Sequence, residues 1–151
     1  MKVPDFLFAV INPVMSFLLR SPLHALAGSS SLMLITFTGR RSGRRFTTPV
    51  RYLRVDGAIR CFTARENQWW RNLRGGADVV LRLAGQELPH HAVPRTEDRD
   101  LIRDSLVHYL ALFPGDAAYQ GIRLNRDKTL VAADLERALD TAIVVECHPL
   151  A

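Results

Sequence analysis

Cysteine is nearly absent. The 151-residue chain holds two, Cys61 and Cys147, far apart and without partner spacing. A disulfide framework and a cysteine-rich zinc site are thereby excluded. Lysine is equally scarce, since 18 of the 20 basic residues are Arg. Long apolar runs are missing too. The N-terminal run Phe6–Leu19 is 14 residues long, with Asn12 and Pro13 in its middle, whereas a membrane-spanning helix needs about 20. With mean hydropathy near zero, a multi-span membrane protein is excluded. There is no repeat, no low-complexity stretch, no Walker loop, no Rossmann glycine fingerprint and no Gly-X-Ser-X-Gly. A hydrophobic content of 48% against 23% charged residues excludes long-range disorder and suits one domain with a real core.

What is present is an uneven positive charge. The net charge is +5. Residues 1–95 carry 14 basic and 5 acidic residues, and residues 96–151 carry 6 basic and 10 acidic. Residues 40–74 alone hold ten Arg against Asp56 and Glu66. The planar guanidinium fork matches phosphate and carboxylate, so an anionic partner is expected. A genome that writes Arg wherever Lys would serve gives the same composition, and Arg is scattered outside this window as well.

Residues 1–30 are expected to form a helical segment ahead of a domain at 31–151. Phe6–Leu19 reads as a short helix broken near Pro13 rather than a cleaved leader. It is suited to packing on the domain, on a second subunit or on a membrane surface. Pro22–Ala27 reads as a second short helix or turn. Strands are expected at Leu32–Thr38, Thr47–Val55, Ala58–Ala64, Val79–Leu83, Leu88–Val93 and Ala142–Glu146, with hairpin signals at Asp56-Gly57 and Gly85-Gln86. Asn67 is expected to cap a short helix to Arg74, ended by Gly75-Gly76. Glu97–Leu112 has helical spacing of Leu101, Leu106, Tyr109, Leu110 and Phe113, with Pro114-Gly115 after it. A last helix is expected at Ala132–Leu139. Hairpins without βαβ alternation argue for a small antiparallel barrel with helices outside, in the α+β class.

Four residue sets bear on chemistry. The loop Gly39-Arg40-Arg41-Ser42-Gly43-Arg44-Arg45 has glycines that let backbone N–H groups approach a ligand, a hydroxyl and four guanidinium groups. That set suits a phosphate, and it equally describes a solvated basic turn. Trp69-Trp70 lies beside Arg65 and Asn72 in sequence, and side chains of adjacent helical residues point about 100° apart. One Trp is expected in the core and the other along a groove, where an aromatic wall beside Arg suits a flat anionic molecule. His90 and His91 face opposite sides of a strand, and His24, His108 and His148 form no ligand motif, so no metal site is expected. Asp98, Asp100 and Asp104 read as a solvated face near a helix N-terminus.

The stretch LITFTGRRSGRRFTTPVRYLRVDG (34–57), followed by WWRNLRGGADVVLRLAGQE (69–87), resembles the deazaflavin (F420)-dependent nitroreductase family. The resemblance extends over residues 20–147. It implies the split β-barrel fold of flavin-binding, pyridoxamine-phosphate-oxidase-like proteins. It implies a cytoplasmic oxidoreductase that uses F420, a deazaflavin with a phosphodiester and a polyglutamate tail, to pass hydride to a quinone, nitro compound or activated double bond. By position, Arg40, Arg41, Ser42, Gly43 and Arg44 would hold the phosphate region. Thr48 and Pro49 would shape the strand beside it, Trp69 and Asn72 would line the cofactor groove, and Arg65 would stand for the usual Lys. Tyr119, in FPGDAAYQ (113–120), would be the substrate-side proton donor. The family commonly has Arg where Phe46 stands here, and a longer connection than TARENQ (63–68).

Other readings stay open at this point. FMN is the alternative cofactor. A non-catalytic binding module for a flavin, haem or lipid-like ligand fits the short connection. A surface for nucleic acid or acidic membrane fits the Arg-rich window, although no nucleic-acid motif supports it. The expected partners are a small-molecule substrate and no nucleic acid, with membrane contact through residues 1–30 and a homodimer both compatible with the sequence.

Overall fold

The computed structural model describes residues 32–150. The expected helices at Phe6–Leu19 and Pro22–Ala27 lie outside them. Six strands, β1 (Leu32–Thr38), β2 (Arg45–Val55), β3 (Ala58–Ala64), β4 (Ala77–Leu83), β5 (Gln86–Arg95) and β6 (Ala142–Pro149), close an antiparallel barrel in the order β1-β2-β3-β6-β5-β4. The barrel expected from the hairpin pattern is present.

The hairpins follow from turn chemistry. Asp56 and Gly57 have φ of 49° and 82°, as a two-residue turn matched to strand twist requires. The β4–β5 turn uses Ala84 and Gly85 (φ 47° and 83°), one residue earlier than Gly85-Gln86, and Gln86 already pairs with Leu83. Barrel closure extends several strands past their apolar patterns. β5 runs to Arg95 and β6 to Pro149 because each has a partner there, in Arg95↔Val144 and His90↔Pro149.

Inward residues alternate with outward ones, so Met33, Ile35, Val50, Tyr52, Ile59, Cys61, Leu81, Ile143, Val145 and Cys147 fill the barrel. The thiols of Cys61 and Cys147 are both buried there, and the hydrogen bond between them, with burial, pushes Cys61 well up. A second core lies outside the wall. Helix α1 (Arg99–Leu112) lays Ile102, Leu106, Tyr109 and Leu110 against Leu53, Phe62 and Val144. This explains why β6 is apolar on both faces, as a strand covered on both sides must be. Asp98 caps α1 by accepting from the Leu101 N–H (3.1 Å), so the helix begins two residues after Glu97. A 3₁₀ segment, Pro114–Gln120, and helix α2 (Ala132–Ala138) follow.

Under α1, Glu146 accepts from Arg60 Nε (3.0 Å), Arg95 Nη2 (3.1 Å) and His148 Nε2 (3.2 Å), and Arg60 also reaches Ser105 Oγ (3.1 Å). Burial alone would raise this carboxyl, yet the bonds from His148, Arg95 and Arg60 hold it below the usual range. At the edge of the same layer, Asp134 receives Arg123 (2.8 Å) and Arg137 (2.6 Å).

The register places the candidate site. β1 ends at Thr38↔Arg45, β3 ends at Ala64↔Ala142, and β5 ends near Arg95↔Val144. With every pair antiparallel, the ends of β1, β3 and β5 and the starts of β2, β4 and β6 share one rim. Connections 39–44, 65–76, 96–98 and 139–141 therefore gather there. The Asp56-Gly57 and Ala84-Gly85 turns mark the opposite rim.

Candidate functional site

The basic loop is a tight turn at the first of these rims. Gly39 N–H donates to the Arg44 carbonyl (2.8 Å) and Gly43 N–H to the Gly39 carbonyl (3.0 Å). Gly43 has φ of 69°, which suits glycine. Ser42 Oγ accepts from Arg44 N–H (3.2 Å), which fixes the hydroxyl inside the turn. At Gly39 an added Cβ would come 2.8 Å from the Phe46 ring and 3.0 Å from Ser42 Oγ. Glycine there is a packing requirement.

The loop is tied to the Trp helix, the 3₁₀ segment Trp69–Leu73. Asn72 Oδ1 accepts from Arg40 N–H (3.0 Å) while its Nδ2 donates to the Trp69 carbonyl (3.0 Å). Asn72 thus positions the loop on the helix. The helix is shorter than the sequence suggested and Asn67 does not cap it. Gln68 is the N-cap, with no side-chain bond, and Asn67 Nδ2 goes to Thr63 Oγ1 (3.0 Å). A single 3₁₀ turn between Ala64 and Gly75 leaves no room for a regular α-helical cap.

Arg40, Arg41, Arg44 and Arg45 are exposed, and none pairs with a carboxylate among the described residues. This is the opposite of α1, where Arg99 and Arg103 are matched to Glu136, Asp140 and Asp100. Beside the loop stands an aromatic column. Phe46 stacks on Phe37 (5.9 Å), Phe37 meets Trp69 (5.7 Å), and the Arg44 guanidinium lies 5.9 Å from the Phe46 ring. Phe46 is 41% exposed, so the column reaches the surface. It occupies the position where the resembled family has Arg. Free cations beside an exposed aromatic face make a donor set for a flat, anionic molecule, and a phosphorylated flavin-like group fits it.

The remaining expected residues lie elsewhere on the wall or behind it. Thr48 is buried on the inward face of β2, opposite Ile35, and Pro49 is on the outward face opposite Leu34. Trp69 and Trp70 are both buried, so neither is an exposed wall. Trp69 Nε1 donates to Thr63 Oγ1 and Trp70 Nε1 to the Ala64 carbonyl (3.0 Å each). Trp70, not Trp69, lines a groove, together with Arg65, Arg74, Gly75, Pro94, Thr96 and Glu97. Arg65 is held there through the Thr96 carbonyl (2.9 Å) and is not joined to the loop.

Tyr119 is 86% exposed on the Pro114–Gln120 segment, with no hydrogen bond or ring contact to the loop among the described residues. That segment is pinned to β2 by Arg51–Asp116 (2.9 Å) and to α1 by the Tyr109 hydroxyl, which donates to Asp116. Burial and that carboxylate push the Tyr109 hydroxyl well up, so it stays a donor. The sequence reading missed Phe46 as part of the site and Arg74 in the groove. Phe46 was visible only as a departure from Arg, and Arg74 only as the residue before two glycines.

Among the described residues, no helix is long and apolar enough to cross a membrane, and no group of three or more His, Cys, Asp and Glu could hold a metal ion.

Two solved structures agree on the fold. A protein of unknown function from Agrobacterium tumefaciens is 16% identical with a TM-score of 0.51, over 83% of this chain and 54% of that one. This chain spans about half of that protein. A putative pyridoxamine 5'-phosphate oxidase from Listeria innocua is 9% identical with a TM-score of 0.50, over 85% of this chain and 92% of that one. An F420-H2 dependent reductase is 17% identical over 76% of this chain and 93% of that one, with a TM-score of 0.43. No curated protein matches. Residues 22–122, which hold the basic loop, the Trp helix and the Pro114–Gln120 segment, match the family model described as F420H(2)-dependent quinone reductase, and the chain belongs to that family.

Proposed function

We propose that this chain reduces a quinone-like acceptor with F420H2, holding the phosphate region of the cofactor on the loop Arg40–Arg44. One observation carries the reading: a turn of exposed guanidinium groups without carboxylate partners, locked by Asn72 to the Trp helix and set beside the exposed Phe46 ring. When bound, F420H2 supplies hydride from its ring. The chain's own part is to bind and orient. Arg40, Arg41 and Arg44 supply charge-assisted donors, with Ser42 and Gly43 shaping the turn. Asn72 and Trp69 hold the loop in place, and Phe46 offers a face to a planar ring. Tyr119 is the candidate proton donor to the acceptor. Nitro compounds and activated double bonds are the other acceptor classes, and a cytoplasmic, homodimeric enzyme is compatible with the reading.

A second reading has its own observation. The connection 63–68 is taken up by internal bonds, including Asn67 N–H to the Ala64 carbonyl (3.0 Å) and Arg65 N–H to the Thr141 carbonyl (2.7 Å). That favours binding of FMN or haem without turnover. The deciding experiment is a fluorescence titration of oxidised F420 with purified protein, with FMN alongside. Saturable binding of F420, followed by oxidation of F420H2 by a quinone, supports the reductase. Binding of FMN alone, or of neither, rejects it.

A further inference from the structure

We infer that the groove between the Trp helix and the end of β5 is a second anion site, taking a carboxylate or phosphate group of a small molecule. It lies on the same rim as the basic loop and shares no residue with it; of the residues carried over by position to the cofactor only Arg65 is in its lining, so the site is tested with small anions and not with F420. The groove encloses about 240 Å³, less than the roughly 300–1,000 Å³ of pockets that take drug-sized ligands. It therefore suits one small charged group and not a whole cofactor.

The donors outnumber the acceptors. Arg65 and Arg74 line the groove against one carboxylate, Glu97. Glu97 is 3.9 Å from Arg65 with its side chain 87% exposed, so it is free to swing aside. Arg65 is aimed by the Thr96 carbonyl, and Arg74 has no carboxylate partner among the described residues. Trp70 forms the apolar back of the groove, and the guanidinium groups of Arg71 and Arg74 each lie 5.2 Å from its ring. That stacking holds the Arg74 plane without using its N–H donors, which leaves them for a ligand. Arg71, the immediate neighbour of Trp70, keeps a buried Nε that finds no acceptor. This side of the rim thus carries more positive charge and more N–H groups than the chain itself satisfies, and an incoming anion supplies what is lacking.

The test is a ¹H–¹⁵N NMR titration of the full chain with citrate and, separately, inorganic phosphate. The chain has two Trp, and their indole N–H groups have different acceptors, so the Trp70 signal is identified by its retention in Trp69→Phe. Saturable shifts of Trp70 and of the Gly75 and Thr96 amides are expected. Arg74→Ala weakens the binding about tenfold, the value of one charge-assisted contact. Glu97→Gln, at an exposed position where folding is not at stake, tightens it about twofold to threefold. Arg40→Ala/Arg41→Ala leaves it unchanged, which separates this site from the loop. Tighter citrate assigns a carboxylate ligand and tighter phosphate a phosphate ligand, and both support the site. No saturable shift, shifts confined to residues 39–44, or wild-type affinity in Arg74→Ala would overturn it.

Discussion

Replacing Arg40 and Arg41 together by Ala tests the loop most directly, and the structure sets the size of the effect. Neither guanidinium has a carboxylate partner among the described residues, so no buried charge is orphaned when they go. The bond that anchors the loop runs from the Arg40 backbone N–H to Asn72, so it survives the change. The loss is therefore confined to the ligand. An exposed ion pair contributes about 0.2–1 kcal/mol, and a charge-assisted bond to an ion about 1.5–3. Exposed arginines gripping a phosphate stand at the top of the first range, at roughly 1 kcal/mol each, or about 2 kcal/mol together, which is roughly a 30-fold loss of affinity. The assay is titration of F420 fluorescence at two salt concentrations, because losing two charges also flattens the salt dependence. The control removes two positive charges outside the loop, Arg54 near the Asp56-Gly57 turn and the exposed Arg126 before α2. If the loop double variant binds as the wild type does, or no worse than this control, the phosphate site is not on this loop.

Three further outcomes follow from the rest of the molecule. Glu146→Gln removes the charge that Arg60, Arg95 and His148 share, and should cost about 2 kcal/mol, a fall of roughly 4–8 °C in thermal midpoint for a chain of this size. Because the Glu146 pKa is lowered in the fold, its contribution is present above its unfolded value of about 4.3 and disappears as pH falls through the folded value. The variant should lack that part of the acid dependence, and an unchanged acid profile would dismiss the network as a source of stability. Tyr119→Phe should lower kcat for a quinone about 100-fold, the low end for a general acid, while F420 affinity and thermal midpoint stay put, since the side chain is exposed and unpartnered. Equal kcat would remove Tyr119 from the chemistry. Cys61 and Cys147 should resist a thiol reagent in the native protein and both react after unfolding, because each is fully buried and the Cys61 thiol is pushed up; rapid labelling of the folded chain would contradict that packing.

Much of this was legible from residue order. Alternation marked the strands, Asp56-Gly57 set a hairpin, and the lack of helical crossovers between strands pointed to an antiparallel barrel. Strand ends were less legible, since β5 and β6 extend through Pro94, His148 and Pro149 only because barrel neighbours offer register there. The cap on the Trp helix was misjudged for a related reason: Asn67 is a good cap by type, but Thr63 on the preceding strand takes its side chain. The two Trp residues show the limit most clearly. Their adjacency said that they diverge, and it held no information on which of them would face the groove formed with Pro94 and Thr96.

The sequence by itself determined the local and compositional facts: an Arg-rich loop with glycines where the backbone must turn, a six-strand hairpin order, an outer helix and a family motif spread over most of the chain. These depend on neighbours a few residues apart, or on sums over the whole chain. Only the tertiary structure decided which Arg are free and which are spent. Arg60, Arg95, Arg99 and Arg103 are matched to carboxylates 33 to 86 residues away, while Arg40, Arg41 and Arg44 are not matched. Closure of the barrel makes that division, because the register of six strands sets which side chains meet across the wall and which connections share a rim. A charge becomes a binding site only where that geometry leaves it without a partner.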